Sequence, residues 1–258
     1  MSIDWQDDSR PIRAVGVFQD AQIDEQAWPA AIPAVREFLR VARSNPPFGG
    51  WEFAPGVTFL VGENGSGKST LIEGIAEAAG LPPEGGTANG GASTRRTESR
   101  LGQWLKVQRG LGAAKGEFFL RAETMHGYYS WLEDLPQQSG PNLHRLSHGE
   151  SFNALLDEKL GHERYFTGLA ILDEPEAALS FGSTLRWLAS LDRMRSRGTQ
   201  VICATHSPVL ASLPGATILE LGEWGIRETN WEDLELVHHH RSYLQSPERY
   251  LRHLFDQE

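Results

Sequence analysis

The sequence predicts an α/β fold in which a mostly parallel β-sheet is flanked by helices. Short apolar runs suited to buried strands lie at residues 57–61, 169–172 and 200–204. Segments with apolar residues at helical spacing lie at residues 33–43 and 69–79. Because parallel strands need long crossover connections, this alternation favours a parallel sheet covered on both faces.

The remaining elements complete one domain over residues 1–258. We expect a hairpin from residues 217–221 and 225–229, and a helical tail at 231–258 that is interrupted near Pro247. Residues 81–146 are interpreted as an inserted, variable and mainly helical part. Further elements are expected as strands at 12–18 and 117–122, and helices at 99–109, 147–160 and 184–197.

Composition excludes several classes of protein. A chain of 258 residues with 40% hydrophobic content can bury a large core. The single cysteine, Cys203, excludes a disulfide framework within the chain and favours a reducing cytoplasm. We see neither a signal peptide nor an apolar run long enough to span a membrane, so a soluble protein is expected. The net charge of −10 gives no overall attraction for nucleic acid.

A glycine-rich segment between a predicted strand and a predicted helix fits G-x-x-x-x-G-K-[ST]. Such a loop curls its backbone N–H groups around phosphate oxygens, while its lysine reaches the β- and γ-phosphates and its hydroxyl binds Mg²⁺. A glycine-rich turn without a ligand is the alternative, but the strand-to-helix context favours a nucleotide. The candidate residues are Gly62, Glu63, Asn64, Gly65, Ser66, Gly67, Lys68, Ser69 and Thr70.

A second candidate segment, LAILDEP, ends a buried strand with two carboxylates, Asp173 and Glu174. Ligands bind at the carboxyl edge of open α/β sheets, so both side chains are expected near the phosphates. Asp173 is then a metal ligand, together with Ser69, and Glu174 is free to orient the attacking water. An ordinary polar turn is the alternative.

Two further segments have simple structural interpretations when taken alone. In LSHGE, Ser147 and Glu150 fit a capping box at the start of a helix. In THSP, His206 follows an apolar strand and fits a polar residue at a strand end. Because both segments occur in one chain with the glycine-rich segment and LAILDEP, a functional interpretation is favoured for each of them.

The order of the four segments resembles the Walker A, signature, Walker B and H-loop set of ABC-type P-loop ATPases. More narrowly, the chain resembles small stand-alone bacterial "AAA family ATPase" proteins with SMC/ABC-like motifs. The matching segments include FLVGENGSGKSTLIEGIA, FFLRAET, RLSHGESF, LAILDEPEAALS and VICATHSPVL.

This resemblance implies an ABC-type ATPase head that binds ATP with Mg²⁺ and forms a head-to-tail homodimer. In that arrangement His206 contacts the γ-phosphate and, with Lys68 and Glu174, acts in catalysis. The signature of the opposite subunit covers the nucleotide, and its residues are Ser147, His148, Gly149 and Glu150.

The chain departs from the common ABC pattern at several places. His148 and Glu150 replace the Gly and Gln of LSGGQ, and Ser180 replaces the usual D-loop Asp. The Q-loop glutamine is not found, and Glu123 is the positional candidate, with Arg121 as the alternative. The sequence does not decide which aromatic residue would stack on adenine. The candidates are Phe18, Trp51 and Phe53.

One stretch of the acidic chain is basic. Between residues 81 and 116 there are six basic residues and two acidic ones. The stretch is interpreted either as a solvated surface or as a contact for an anionic partner such as nucleic acid. Its basic residues are Arg95, Arg96, Arg100, Lys106, Arg109 and Lys115.

Three functions remain in competition. The first is a soluble, cytoplasmic ABC-type ATPase that switches a partner, with DNA maintenance or defence as possible settings. The second is the nucleotide-binding subunit of an ABC transporter. The third is a nucleotide switch without turnover, against which Glu174 argues.

Overall fold

The computed structural model of the chain describes residues 10–44, 49–82, 85, 99–110, 116–122, 168–177 and 179–255. The predicted helix at 147–160 therefore lies outside the described residues, as does most of the predicted insertion. The described strands are β1 (Ala14–Val17), β2 (Trp51–Glu52), β3 (Val57–Val61), β4 (Leu105–Gln108), β5 (Glu117–Arg121), β6 (Leu169–Asp173), β7 (Gln200–Thr205), β8 (Thr217–Gly222) and β9 (Gly225–Thr229). The described helices are α1 (Pro33–Ser44), α2 (Lys68–Ala78), α3 (Leu101–Trp104), α4 (Phe181–Ser196), α5 (Glu235–Gln245) and α6 (Pro247–Phe255).

Six strands form the large sheet, in the order β5-β6-β7-β3-β8-β9. All neighbours are parallel except β8 and β9, which form the predicted antiparallel hairpin. The predicted mostly parallel sheet is confirmed. In register, Val61 lies opposite Thr205, and Asp173 lies opposite both Ala204 and Arg121. The parallel strands β5, β6, β7 and β3 consequently end at nearly the same level.

Both faces of the large sheet are buried, as the continuous apolar strands predict. Along β6, Leu172 packs into one apolar cluster with Trp187 of α4. Its neighbour Ile171 points to the opposite face and packs into a second cluster with Ile72 of α2. This alternation within one strand places helices on both sides of the sheet.

Three shorter strands form the small sheet, in the order β2-β1-β4, with antiparallel pairing throughout. Its central residue Val15 lies opposite Trp51 on one side and Val107 on the other. Buried Gln200, at the start of β7, joins the two sheets. Its side chain accepts a hydrogen bond from the Ile12 N–H (2.8 Å) and donates one to the Ile12 carbonyl (2.8 Å).

The prediction of a helix over residues 99–109 is wrong for the second half of that segment. The chain forms α3 over Leu101–Trp104 and then continues as strand β4 over Leu105–Gln108. Pairing with β1 satisfies the backbone groups on one edge of β4, and Leu105 is buried in the apolar cluster on that side of the molecule. The partner strand lies about 90 residues earlier in the chain, so local spacing alone did not reveal it.

Two smaller expectations concern Cys203 and the tail. Cys203 is a fully buried core residue, as predicted, and burial raises the pKa of its thiol, with Glu176 and Asp173 adding to the effect. The tail forms α5 and α6, which meet at Ser246 and Pro247 as predicted. None of the described helices combines the length and the apolar character needed to cross a bilayer.

Candidate functional site

The glycine-rich loop (residues 62–69) connects β3 to α2 at the carboxyl edge of the large sheet. Gly65 and Gly67 have left-handed φ values of 84° and 97°. A Cβ on Gly67 would also lie 2.9 Å from Ile32 Cγ2, just before α1. Glycine is therefore required at position 67 both for the backbone turn and for the close approach of residue 32.

The Lys68 ammonium is held over this loop. Its Nζ donates hydrogen bonds to the carbonyl oxygens of Gly62 (2.8 Å) and Glu63 (3.0 Å). The side chain is 3% exposed, and Nζ lies 3.7 Å from Glu174 Oε1. The structure thus brings Lys68 and Glu174 together from segments more than 100 residues apart.

Ser69 and Asp173 also meet at this edge. The Ser69 hydroxyl donates a hydrogen bond to Asp173 Oδ1 at 3.0 Å. Asp173 is the last residue of β6 and is 4% exposed. A hydroxyl and a carboxylate at this distance are hard oxygen ligands of the kind that Mg²⁺ prefers, so the residues present fit this ion.

Glu174 has a strained backbone. Its φ of 49° is positive, the only such value at a non-glycine residue in the part of the chain that the structure describes. The Glu174 N–H donates to the Ala204 carbonyl of β7 at 3.0 Å, which fixes this turn against the sheet. Unfavourable φ values persist where the surroundings hold them in place, and they concentrate at functional sites.

His206 follows β7 and faces two carboxylates. Its Nδ1 lies 3.5 Å from Glu174 Oε1 and 3.7 Å from Glu176 Oε1. Glu176 is buried and accepts hydrogen bonds from the Thr205 hydroxyl and from the His206 N–H. The sequence analysis identified Glu174 and His206 but gave no role to Glu176, whose contacts come from β7.

Arg121 lies at the same edge, at the end of β5. Its Nη1 donates to Glu73 Oε2 at 3.0 Å, and its Nε lies 3.6 Å from Asp173 Oδ2. Glu73 was missed by the sequence analysis. The signal was present, because Glu73 lies four residues after Ser69 on α2 and therefore on the same helix face.

Several predicted site residues lie outside the described residues. These are the Q-loop candidate Glu123 and the signature residues Ser147, His148, Gly149 and Glu150. Their assignment stays a prediction from the sequence.

The three aromatic candidates for adenine stacking differ in access. Phe53 is buried in the core, and Trp51 stacks on Phe38 with ring centroids 5.4 Å apart. Phe18, directly after β1, is 46% exposed. Of these candidates, Phe18 therefore offers the most accessible ring.

The basic stretch is only partly described. Arg109 forms an ion pair with Glu117, and its Nη2 donates to the Ala79 carbonyl at 2.8 Å. Its charge therefore has a partner just beyond the stretch. Arg95, Arg96 and Lys115 lie outside the described residues.

The chain is similar in sequence to ATP-binding proteins of the ABC type. A family model described as an AAA domain matches residues 50–124, which include β3, the glycine-rich loop and α2. An uncharacterised ABC transporter ATP-binding protein of Haemophilus influenzae is 26% identical over 220 residues, covering 76% of this chain and 81% of the relative. The predicted resemblance to ABC-type ATPases is confirmed.

The chain is also similar to a second relative and to a solved structure. The cytochrome c biogenesis ATP-binding export protein CcmA of Maricaulis maris is 27% identical over 186 residues, covering 66% of this chain and 82% of the relative. CbiO1 of Clostridium perfringens, part of the ABC transporter complex CbiONQ, aligns with a TM-score of 0.44 at 15% identity, covering 95% of this chain and 99% of CbiO1. This structural score is too low to support a conclusion by itself.

Proposed function

We propose that the chain binds ATP with Mg²⁺ at the carboxyl edge of the large sheet and hydrolyses it to ADP and phosphate. The observation that carries this proposal is the meeting of the glycine-rich loop with the end of β6. Ser69 lies 3.0 Å from Asp173, and Lys68 lies 3.7 Å from Glu174. A phosphate-binding loop, two oxygen ligands and a carboxylate base are thereby assembled in one place.

The loop binds and orients the triphosphate. Its backbone N–H groups and the N-terminus of α2 favour anionic oxygens. Lys68 exchanges its bonds to the Gly62 and Glu63 carbonyls for phosphate oxygens. Because Lys68 is already nearly buried, little side-chain freedom is lost on binding.

Ser69 and Asp173 hold the metal site. A Mg²⁺ ion held by these two residues would neutralise charge on the phosphates. Arg121 contacts both Glu73 and Asp173, so it restrains the Asp173 carboxylate from the side of β5.

Glu174 orients and polarises the attacking water. It is 26% exposed, so a water molecule can reach it, whereas Asp173 behind it is buried. The strained turn and the hydrogen bond to Ala204 hold this carboxylate at the edge of the site. His206 completes the site by contacting the γ-phosphate.

We further propose that two copies of the chain join head to tail around ATP. This part rests on the resemblance, with Ser147 and the Gly149 N–H reaching the opposite subunit's nucleotide. One described feature supports it: α4 begins beside the site with Phe181, which is 69% exposed, and Leu185 one turn later is 45% exposed. Two exposed apolar side chains on one helix face suit a protein contact.

The test uses a Glu174→Gln chain, which removes the base but keeps the shape of the site. Turnover is expected to fall by about 100-fold or more, and sedimentation should show a dimer with ATP and Mg²⁺ and a monomer with ADP. Glu228→Gln, on the exposed face of β9, is the matched control and should behave as the wild type.

A Ser147→Arg chain adds a second arm to this test. It should bind ATP but stay monomeric, because the arginine intrudes on the expected interface. A Glu174→Gln chain that stays monomeric at high concentration with ATP and Mg²⁺ would refute the dimer while leaving the nucleotide site intact.

The partner on which hydrolysis acts has two candidates. The names of both curated relatives favour a nucleotide-binding subunit of an ABC transporter. The stand-alone ATPase with a different partner is the other candidate. Affinity purification of the Glu174→Gln chain from its own cells decides between them, since recovery of a membrane-spanning subunit supports the first and its absence supports the second.

A nucleic-acid partner would have to use the basic stretch. The pairing of Arg109 with Glu117 weakens this idea, because it removes one of the six positive charges. A gel-shift series at rising salt, with the double variant Arg95→Glu and Arg96→Glu, tests it. Binding that is absent even at low salt, with ATP present, excludes this partner.

A further inference from the structure

Glu176 is a buried carboxylate that ties the end of β6 to the end of β7. It is 8% exposed, and its Oε1 accepts hydrogen bonds from the Thr205 hydroxyl and the His206 N–H (2.9 Å). The Thr205 oxygen in turn accepts from the Ser207 N–H at 3.0 Å. One carboxylate oxygen therefore fixes the whole turn that carries His206.

The second oxygen of Glu176 has a different environment. Among the described residues, Glu176 Oε2 and His206 Nδ1 are both buried atoms without a hydrogen-bond partner. Oε2 is an acceptor and Nδ1 is a ring nitrogen that can carry a proton. Nδ1 lies 3.7 Å from Oε1 of the same carboxylate, and Oε1 already accepts two hydrogen bonds. A shift of the imidazole towards Oε2 would pair the two atoms and satisfy two unsatisfied buried groups at once.

Glu174 competes for the same ring nitrogen, at 3.5 Å. It is also 3.7 Å from Lys68 and more exposed than Glu176. If Glu174 held His206, its carboxylate would be occupied on the side where the attacking water has to lie. Glu176 has no such conflict, since it is anchored from behind by Thr205 and by the His206 backbone.

We propose that Glu176 is a positioning residue that accepts the Nδ1–H of His206. This bond fixes the ring and its tautomer, so that Nε2 faces the phosphate, and it leaves Glu174 free for water. A carboxylate that orients an imidazole from behind is a general device in enzyme sites. The part that concerns water rests on the proposed ATPase function, whereas the hydrogen bond itself does not.

The first experiment needs no nucleotide. Ring ¹⁵N chemical shifts of His206 are measured at about pH 8, where an ordinary imidazole is neutral and its two nitrogens are distinguishable. The wild-type chain should carry the proton on Nδ1. A proton on Nε2 in the wild type overturns the proposal without any variant, even if the variants do not fold.

Two matched variants identify the acceptor. Glu176→Gln keeps an oxygen for Thr205 and the His206 N–H, but the NH2 that replaces Oε2 is a donor and cannot accept the ring proton, so the proton should move to Nε2. Glu174→Gln should leave it on Nδ1. The opposite pattern would assign the orienting role to Glu174 and overturn the proposal.

Turnover supplies a second readout that a merely structural role would not give. Glu176→Gln should lower kcat by about 10–100-fold with little change in the KM for ATP. In a His206→Ala background the same change should alter kcat less than about twofold, because Glu176 acts through His206. Equal effects in both backgrounds would contradict the proposal. If the wild type hydrolyses no ATP, the proposed function fails, and the ring-nitrogen measurement still decides the role of Glu176.

Discussion

In the large sheet, strands β3, β6 and β7 run parallel and end together, whereas in the small sheet β1 lies between two antiparallel neighbours. The consequence for polar residues is direct. Lys68, Asp173 and His206 lie at or beyond strand ends of the large sheet and meet at one edge. Among the described site candidates, the small sheet contributes only residues that could stack on adenine, Trp51 in β2 and Phe18 directly after β1. Otherwise it packs against α1.

This difference indicates that the residues of the proposed ATP site belong to the large sheet, whereas the small sheet mainly stabilises the structure around them. Gly67 in the glycine-rich loop contacts the segment before α1, because Ile32 there fills the space where a side chain would stand. Changes at the carboxyl edge should therefore affect ATP binding, and changes in the buried core of the small sheet should affect stability alone.

The largest expected effect is that of Lys68→Ala. ATP affinity should fall by at least about 100-fold (about 3 kcal/mol), because the charged contact to the phosphates is lost. Titration with a fluorescent ATP analogue measures this, and circular dichroism checks the fold. The control is Lys106→Ala in β4, which should bind as the wild type. Near-normal affinity of the Lys68→Ala chain would refute the assignment of the phosphate site.

Gly67→Ala tests the contact between the two regions. A Cβ at a φ of 97° and 2.9 Å from Ile32 should distort the loop and weaken ATP binding about tenfold. The matched control is Gly182→Ala, where the added Cβ meets nothing within 4 Å and a helix position favours alanine. Equal ATP affinity in both variants would show that the loop accommodates a Cβ at position 67 without losing its function.

A pair of identical substitutions compares the cores of the two sheets. Val201 in β7 and Val15 in β1 are both fully buried. Val201→Ala should lower the free energy of unfolding by about 2–3 kcal/mol and Val15→Ala by about 1–2 kcal/mol, because the central strand is packed on more sides. Urea unfolding gives both values. A loss at Val15 that exceeds the loss at Val201 would reverse the proposed ranking of the two cores.

The smallest effect is expected on the outer face of α1, at Arg40→Ala. The hydrogen bond from Arg40 lowers the pKa of the Glu37 carboxyl. A carboxyl with a lowered folded-state pKa adds stability above its unfolded pKa and loses it as pH falls through the folded value. Thermal unfolding should therefore show a slight loss at neutral pH that disappears below about pH 4. A loss that persists in acid would point to packing by the arginine stem instead.

The sequence by itself determined the large sheet and the identity of its site. Strand β3 was predicted with its observed bounds, and β6 and β7 each end one residue beyond the expectation. These strands are buried on both faces, so their apolar runs are continuous and local. The residues that follow them, such as Lys68, Asp173 and Glu174, are next to those runs in the chain and could be read with them.

The small sheet and the contacts between strand ends were decided by the tertiary structure. Strand β4 was taken for helix because its partner β1 lies far away in sequence, and short strands leave little period to detect. Glu176 lies in the matching segment LAILDEPEAALS, but the sequence indicated no role for it, because its contacts are to Thr205 and His206, about 30 residues later. Backbone pairing and buried hydrogen bonds join segments that are distant in the chain. A local sequence pattern in one segment does not identify the distant segment with which it pairs.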